Sequence, residues 1–139
     1  MASMRDEHYV LDLCDELLQS PAARQHAFAW LRGDTGRRLP VDGFYEDLGL
    51  VIEYRERQHA EPAPFFDRRA TVSGVPRGEQ RRRYDELRDR EIPARGLGLV
   101  VIEPGQLDST KSGRLRRRQR EADLGAVSLL LQRAGLNRR

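Results

Sequence analysis

At 139 residues the chain has the length of one ordinary domain, enough for a single hydrophobic core and too short for two independent ones. Hydrophobic residues make up 38% and charged residues 34%, and no apolar run approaches the roughly 20 residues that span a bilayer; the N-terminus also lacks a basic segment followed by an apolar one. A cytoplasmic protein without a membrane span is expected, and the lone Cys14 excludes an internal disulfide or a cysteine-rich zinc site.

The net charge of +3 is unevenly placed. From Lys111 to Arg139 there are nine basic residues against Glu121 and Asp123, a net of +7 that leaves −4 on residues 1–110. Lys111 is the only lysine. Arginine's planar fork suits phosphate oxygens, so the Arg-Leu-Arg-Arg-Arg-Gln-Arg run at 114–120, with Arg116, Arg117 and Arg118 at its centre, reads either as a nucleic-acid backbone contact or as a solvated helix face.

In chain order, residues 7–19 place Val10, Leu13, Cys14, Leu17 and Leu18 at helical spacing and predict an amphipathic helix. Ser20-Pro21 reads as its end and as the cap and first turn of a second helix over about 21–32, which would bury Phe28, Trp30 and Leu31 and stop at Gly33. Two strands follow at 38–45 and 50–55, joined across Glu46-Asp47-Leu48-Gly49 as a hairpin. Residues 56–78 hold three prolines and two glycines without periodicity and read as a long loop. A polar helix over 79–91, ended by Pro93, leads to an apolar run from Leu97 to Ile102 that predicts a fully buried strand. A final basic helix over 114–134 would align Leu124, Val127, Leu131 and Ala134 on one face. One domain over 1–139 is expected, of α/β class, with a small mixed central sheet built from the hairpin and strand 97–103 and flanked by helices.

The hairpin carries the candidate chemistry. With the turn centred on residues 47 and 48, opposed residues have numbers summing to 95, so Asp42 lies opposite Glu53, their Cβ atoms about 5 Å apart. Two carboxylates that close raise one another's pKa, a cost that makes sense if a divalent cation sits between them. Oxygen-only ligation fits Mg²⁺ or Mn²⁺ rather than zinc. Such an ion polarises a phosphoryl oxygen and activates water, the chemistry of phosphodiester hydrolysis. Spacing alone equally allows both acids to pair with Arg37, Arg38 or Arg55 at a sheet surface.

The strings Leu-Pro-Val-Asp-Gly-Phe-Tyr at 39–45 and Leu-Val-Ile-Glu-Tyr-Arg-Glu-Arg-Gln-His from residue 50, then Arg-Tyr-Asp-Glu at 83–86 followed by Leu-Val-Val-Ile at 99–102, resemble the restriction-endonuclease-like, or PD-(D/E)xK, superfamily. They are most similar to the branch related to very-short-patch mismatch repair endonucleases, and the resemblance covers about residues 22–103. It implies a restriction-endonuclease-like fold, Asp42 and Glu53 as metal ligands, and His59 near the scissile phosphate as ligand, proton donor or charge stabiliser. It further implies that Gln58 fixes the loop or touches a metal-bound water, and that an acid of the first helix, Glu16 or Glu7, completes the site. One departure is marked: the superfamily has a lysine two residues after the second acid, where this chain has Arg55, which can stabilise charge and steady the phosphate but cannot act as a general base.

The loop Glu61-Pro62-Ala63-Pro64-Phe65-Phe66-Asp67-Arg68-Arg69 reads either as a base-stacking wedge with phosphate-holding arginines or as a small core pinning the loop. Arg77, Arg81, Arg82 and Arg83 would complete a positive cleft if they face the acidic pair. The leading expectation is a metal-dependent DNA endonuclease, nicking as a monomer or cutting both strands as a homodimer, acting on duplex, mismatched or branched DNA in repair or defence. Its alternatives are an inactive nucleic-acid-binding module on the same fold, and a protein-interaction subunit using the apolar face of the C-terminal helix.

Overall fold

The computed structural model describes residues 5–56 and 77–136. Helix α1 (Asp6–Leu18) is followed by strands β1 (Ala23–Arg32), β2 (Arg38–Tyr45) and β3 (Leu50–Tyr54), helix α2 (Arg77–Ala94), strand β4 (Gly98–Ile102) and helix α3 (Arg120–Arg133). The strands form one mixed sheet in the order β1-β2-β3-β4, antiparallel throughout except that β4 runs parallel to β3. An α/β chain with a small mixed sheet is therefore what folds, with four strands where three were expected.

The additional strand is the segment expected as a second helix. From Arg24 to Trp30 the even-numbered residues are half-buried and the odd-numbered ones exposed, a period of two that belongs to a strand. The three-residue spacing of Phe28 and Leu31 suggested a helix, but the rings at 26, 28 and 30 line up along β1, His26 edge to face on Phe28 and Phe28 stacked on Trp30, with centroids 4.7 and 4.6 Å apart. Ser20-Pro21 accordingly does not cap a helix. Helix α1 closes at Gln19 in the left-handed conformation, and Asp15 accepts the Ala22 N–H at 3.0 Å as the chain turns into β1.

The expected hairpin of β2 and β3 forms, pairing Gly43 with Ile52, Phe44 with Val51 and Tyr45 with Leu50. The completely buried strand is β3, not β4: at the sheet edge only Val100 and Ile102 of β4 are buried. Helix α2 is longer than expected and runs through Pro93. Pro93 has no N–H to give to the preceding turn, and the helix ends one residue later, at Ala94; Gly96, at φ +81, then allows the Leu97 N–H to close back on the Ile92 carbonyl.

The largest correction falls on the basic segment. Helix α3 begins only at Arg120, and residues 114–119 are not helical. Leu115 is buried, bridges to Ser109 and donates its N–H to Asp6 at 2.9 Å, so the run is a strap fastened across α1. On α3, Val127 and Leu131 are buried in the chain's own core and Ala134 lies exposed beyond the helix, so the face offered as a dimer surface is largely spent inside the fold.

Two apolar clusters position the elements. One joins α1 and α3 to Tyr45, Ile52 and Ile102; the other joins Ile92 of α2 to Leu31, Leu39, Val41 and Val51. Helix α1 meets β2 closely at Gly43, where an added Cβ would lie 2.7 Å from Leu11 Cδ2. Burying Leu11 completely contributes on the order of 2 kcal/mol, and it brings Glu7, one helical turn earlier, toward the neighbour of Gly43, Asp42.

Candidate functional site

Main-chain pairing of β2 with β3 ends at Gly43 and Ile52, and the next two residues pair through their side chains. The Asp42 N–H donates to Glu53 Oε2 at 3.0 Å, and the Tyr54 N–H donates to Asp42 Oδ2 at 2.7 Å. Each carboxylate thus takes the place of a carbonyl acceptor, and the two acids are held where the strands part.

Their surroundings differ. Glu53 is 4% exposed and sits among cations, with Arg55 Nε at 3.5 Å and Arg88 Nε at 3.8 Å from its Oε1. Burial raises its pKa, and Arg88, the Asp42 N–H and Arg55 oppose that rise. Asp42 is half-buried, and among the described residues no cationic side chain forms an ion pair with it. Burial, then the charge of Glu53, pushes its pKa up to about 7, against the pull of the Tyr54 N–H.

The first-helix acid beside this pair is Glu7. The Gln25 side-chain nitrogen donates to Glu7 Oε2 at 2.5 Å and to Asp42 Oδ1 at 3.3 Å. Glu16 instead pairs with Arg120 at 2.6 Å, both side chains about half exposed. The structure thus separates two candidates that the sequence left level.

Arg55 is enclosed rather than free. Its side chain is 16% exposed, bonds both oxygens of Asp89 at 2.8 and 3.3 Å, and lies 3.6 Å from Asp85. Arg88 pairs with Asp85 and donates to the Pro40 carbonyl at 3.0 Å, tying α2 to β2. The Nε atoms of Arg55 and Arg88 are buried without a hydrogen-bond acceptor among the described residues, so they serve Glu53 by charge.

No protein family, curated protein or solved structure matches the chain. The chemistry of the site must therefore be read from its own atoms.

A hard divalent cation of the Mg²⁺ class takes one or two carboxylates and fills its remaining positions with water or phosphate. Among the described residues no three His, Cys, Asp or Glu side chains form a ready-made ligand group, but Asp42 and Glu53 supply the pair such an ion requires. The donors are all oxygen, the kind that Mg²⁺ and Mn²⁺ accept, and the half-buried Asp42, its pKa pushed up to about 7, has no cationic side chain in an ion pair with it among the described residues.

The basic residues are spread widely. Arg116 and Arg118 share Asp108, and Arg117 pairs with Asp6 at 3.2 Å over the Tyr9 ring. Arg82 and Arg83 share Glu79, whereas Arg77 and Arg81 are exposed on α2. Gln58, His59, Phe65, Phe66, Arg68 and Arg69 lie outside the described residues. Sequence reasoning missed Gln25, Arg88, Asp85 and Asp89. The last three recur at helical i, i+3, i+4 spacing, which was a readable signal.

Proposed function

We propose that the chain is a metal-dependent DNA endonuclease of the restriction-endonuclease-like kind, in which Asp42 and Glu53 hold Mg²⁺ or Mn²⁺. The observation that carries this reading is the junction of the two acids: the resemblance marks them from separate strings, and they lie side by side where β2 and β3 part, with Asp42 lacking a cationic partner among the described residues. When bound, the cation supplies polarisation of a phosphoryl oxygen and a more acidic water. The Tyr54 N–H orients Asp42, the Asp42 N–H orients Glu53, and Arg55 with Arg88 favours the charged form of the Glu53 carboxylate against the effect of burial. Arg55 is assigned here to the support of Glu53 rather than to the phosphate, and His59 takes the proton-transfer or charge-stabilising role that the resemblance implies.

The enclosure of Glu53 by two arginines favours one second reading, a nucleic-acid-binding module on this fold without catalysis. Incubating supercoiled plasmid and mismatched or branched duplexes with the chain and Mg²⁺ or Mn²⁺ separates the two. Cleavage that both Asp42→Ala and Glu53→Ala abolish is the expected result. Salt-sensitive binding with no cleavage on any substrate would replace the first reading with the second.

A further inference from the structure

Gln25 is the residue of β1 with backbone in the left-handed region, at φ +52, although the neighbours on both sides keep regular strand pairing: Arg24 with Gly43 and His26 with Val41. The register is the same before and after it, so no residue is inserted and Gln25 stands across from Asp42. A non-glycine residue held there is strained and persists only where its surroundings impose it. What it achieves is visible in the side chain, whose one nitrogen reaches both Glu7 and Asp42.

We propose that the Gln25 carboxamide is a two-state ligand of the site: it donates its NH₂ to Glu7 and Asp42 when no cation is present, and turns its carbonyl oxygen to the cation when one binds. This rests on the metal-dependent reading of Asp42 and Glu53. A carboxamide is the neutral side chain suited to both states, since one end donates two hydrogen bonds and the other is a hard oxygen of the kind that Ca²⁺, Mg²⁺ and Mn²⁺ accept. Rotation about its terminal torsion exchanges the two ends without moving the strand. Gln25 is exposed, so a cation reaches it from solvent, and Glu7 is already drawn beside Asp42 on the same side chain.

The two states respond differently to substitution. Gln25→Glu keeps an oxygen ligand but removes the donor, placing a third carboxylate against Glu7 and Asp42. Gln25→Leu removes both functions at similar volume. The experiment is Mn²⁺ titration by calorimetry on the full chain, wild type and variants, with melting temperature recorded with and without Mn²⁺. Gln25→Glu should melt below wild type without metal and recover most of the difference with Mn²⁺, binding the ion at least as tightly. Gln25→Leu should bind Mn²⁺ about 10- to 100-fold more weakly, the usual effect of losing such a group. If wild type binds Mn²⁺, Asp42→Ala abolishes binding and Gln25→Leu binds as wild type, the role of Gln25 is overturned while the metal reading stands. A metal-independent loss of melting temperature in Gln25→Glu, with no recovery, also overturns it. If wild type binds no Mn²⁺, the metal reading fails and this inference fails with it.

Discussion

Asp42 and Glu53 are joined through the backbone of one and the carboxylate of the other: the Asp42 N–H donates to Glu53 Oε2 at 3.0 Å, at the point where strand pairing stops. The bond orients Glu53, but it also places two acids together, and burial with that second charge raises the Asp42 pKa from 3.8 to about 7. A carboxyl whose pKa is higher in the folded chain binds protons preferentially when folded. Its favourable contribution is therefore complete below about pH 4 and is lost as pH rises through about 7. Asp42→Asn, which keeps an oxygen for the Tyr54 N–H, should be more stable than wild type at pH 8, by on the order of 3 kcal/mol, and should show no such gain at pH 4. Urea denaturation of both proteins at the two pH values measures this, and an equal difference at both would refute the assignment.

Mg²⁺ or Mn²⁺ should close most of that gap. A ligand that binds only the folded state stabilises it by about 2.7 kcal/mol at 100 times its Kd. At pH 8, millimolar Mn²⁺ should raise the melting temperature of wild type and leave Asp42→Asn nearly unmoved. A similar rise in both would place the ion elsewhere.

The close approach of α1 to β2 makes a separate prediction. In Gly43→Ala the new Cβ would stand 2.7 Å from Leu11 Cδ2 and 3.3 Å from Ala22 Cβ, so the Leu11 side chain or its helix must shift, at a cost of about 1–3 kcal/mol. Leu11→Ala alone creates a cavity costing about 2–5 kcal/mol. In the double variant the new methyl finds room, so the combined loss should be smaller than the two losses added. Strict additivity in denaturant titrations would show that the contact does not set the spacing.

How much of this was legible follows from the range of each interaction. The hairpin register was readable because the turn that sets it is local, and it led directly to Asp42 opposite Glu53. Strand β1 was misread because Phe28 and Leu31 fit a helix as well as Phe28 and Trp30 fit a strand, and only pairing with β2 decides. The choice of Glu7 over Glu16 depends on how closely α1 meets Gly43, which no spacing within α1 reveals. The arginine strap looked helical and free because Asp6 and Asp108, which bind it, are distant or off any shared period. Arg55 looked like a residue for phosphate because its partners lie on α2, thirty and more positions away.

Glu7 and Glu16 separate in an activity assay. Glu16→Ala removes an ion pair with Arg120 that solvent screens, and should leave cleavage rates unchanged. Glu7→Ala removes the acid that Gln25 draws to Asp42 and should lower cleavage about 10-fold or more, by analogy with the loss of other metal-orienting groups. The reverse ranking would return the first-helix role to Glu16.

The arginines make a last prediction, through salt. An arginine that neutralises a phosphate releases a counterion, and removing it lowers the slope of log K against log salt by about 1. Arg77 and Arg81 are exposed on α2, so Arg77→Ala and Arg81→Ala should each flatten the salt dependence of DNA binding. Arg116 and Arg118 already share Asp108, and a phosphate must compete with that carboxylate for them. Alanine at either should change the slope less, while Asp108→Asn, which frees both, should strengthen DNA binding at low salt. Fluorescence anisotropy with a labelled duplex across a salt series reads all of these. If Arg116→Ala and Arg118→Ala flatten the slope as much as the α2 variants do, the strap opens on DNA, and its pairing with Asp108 describes the free protein alone.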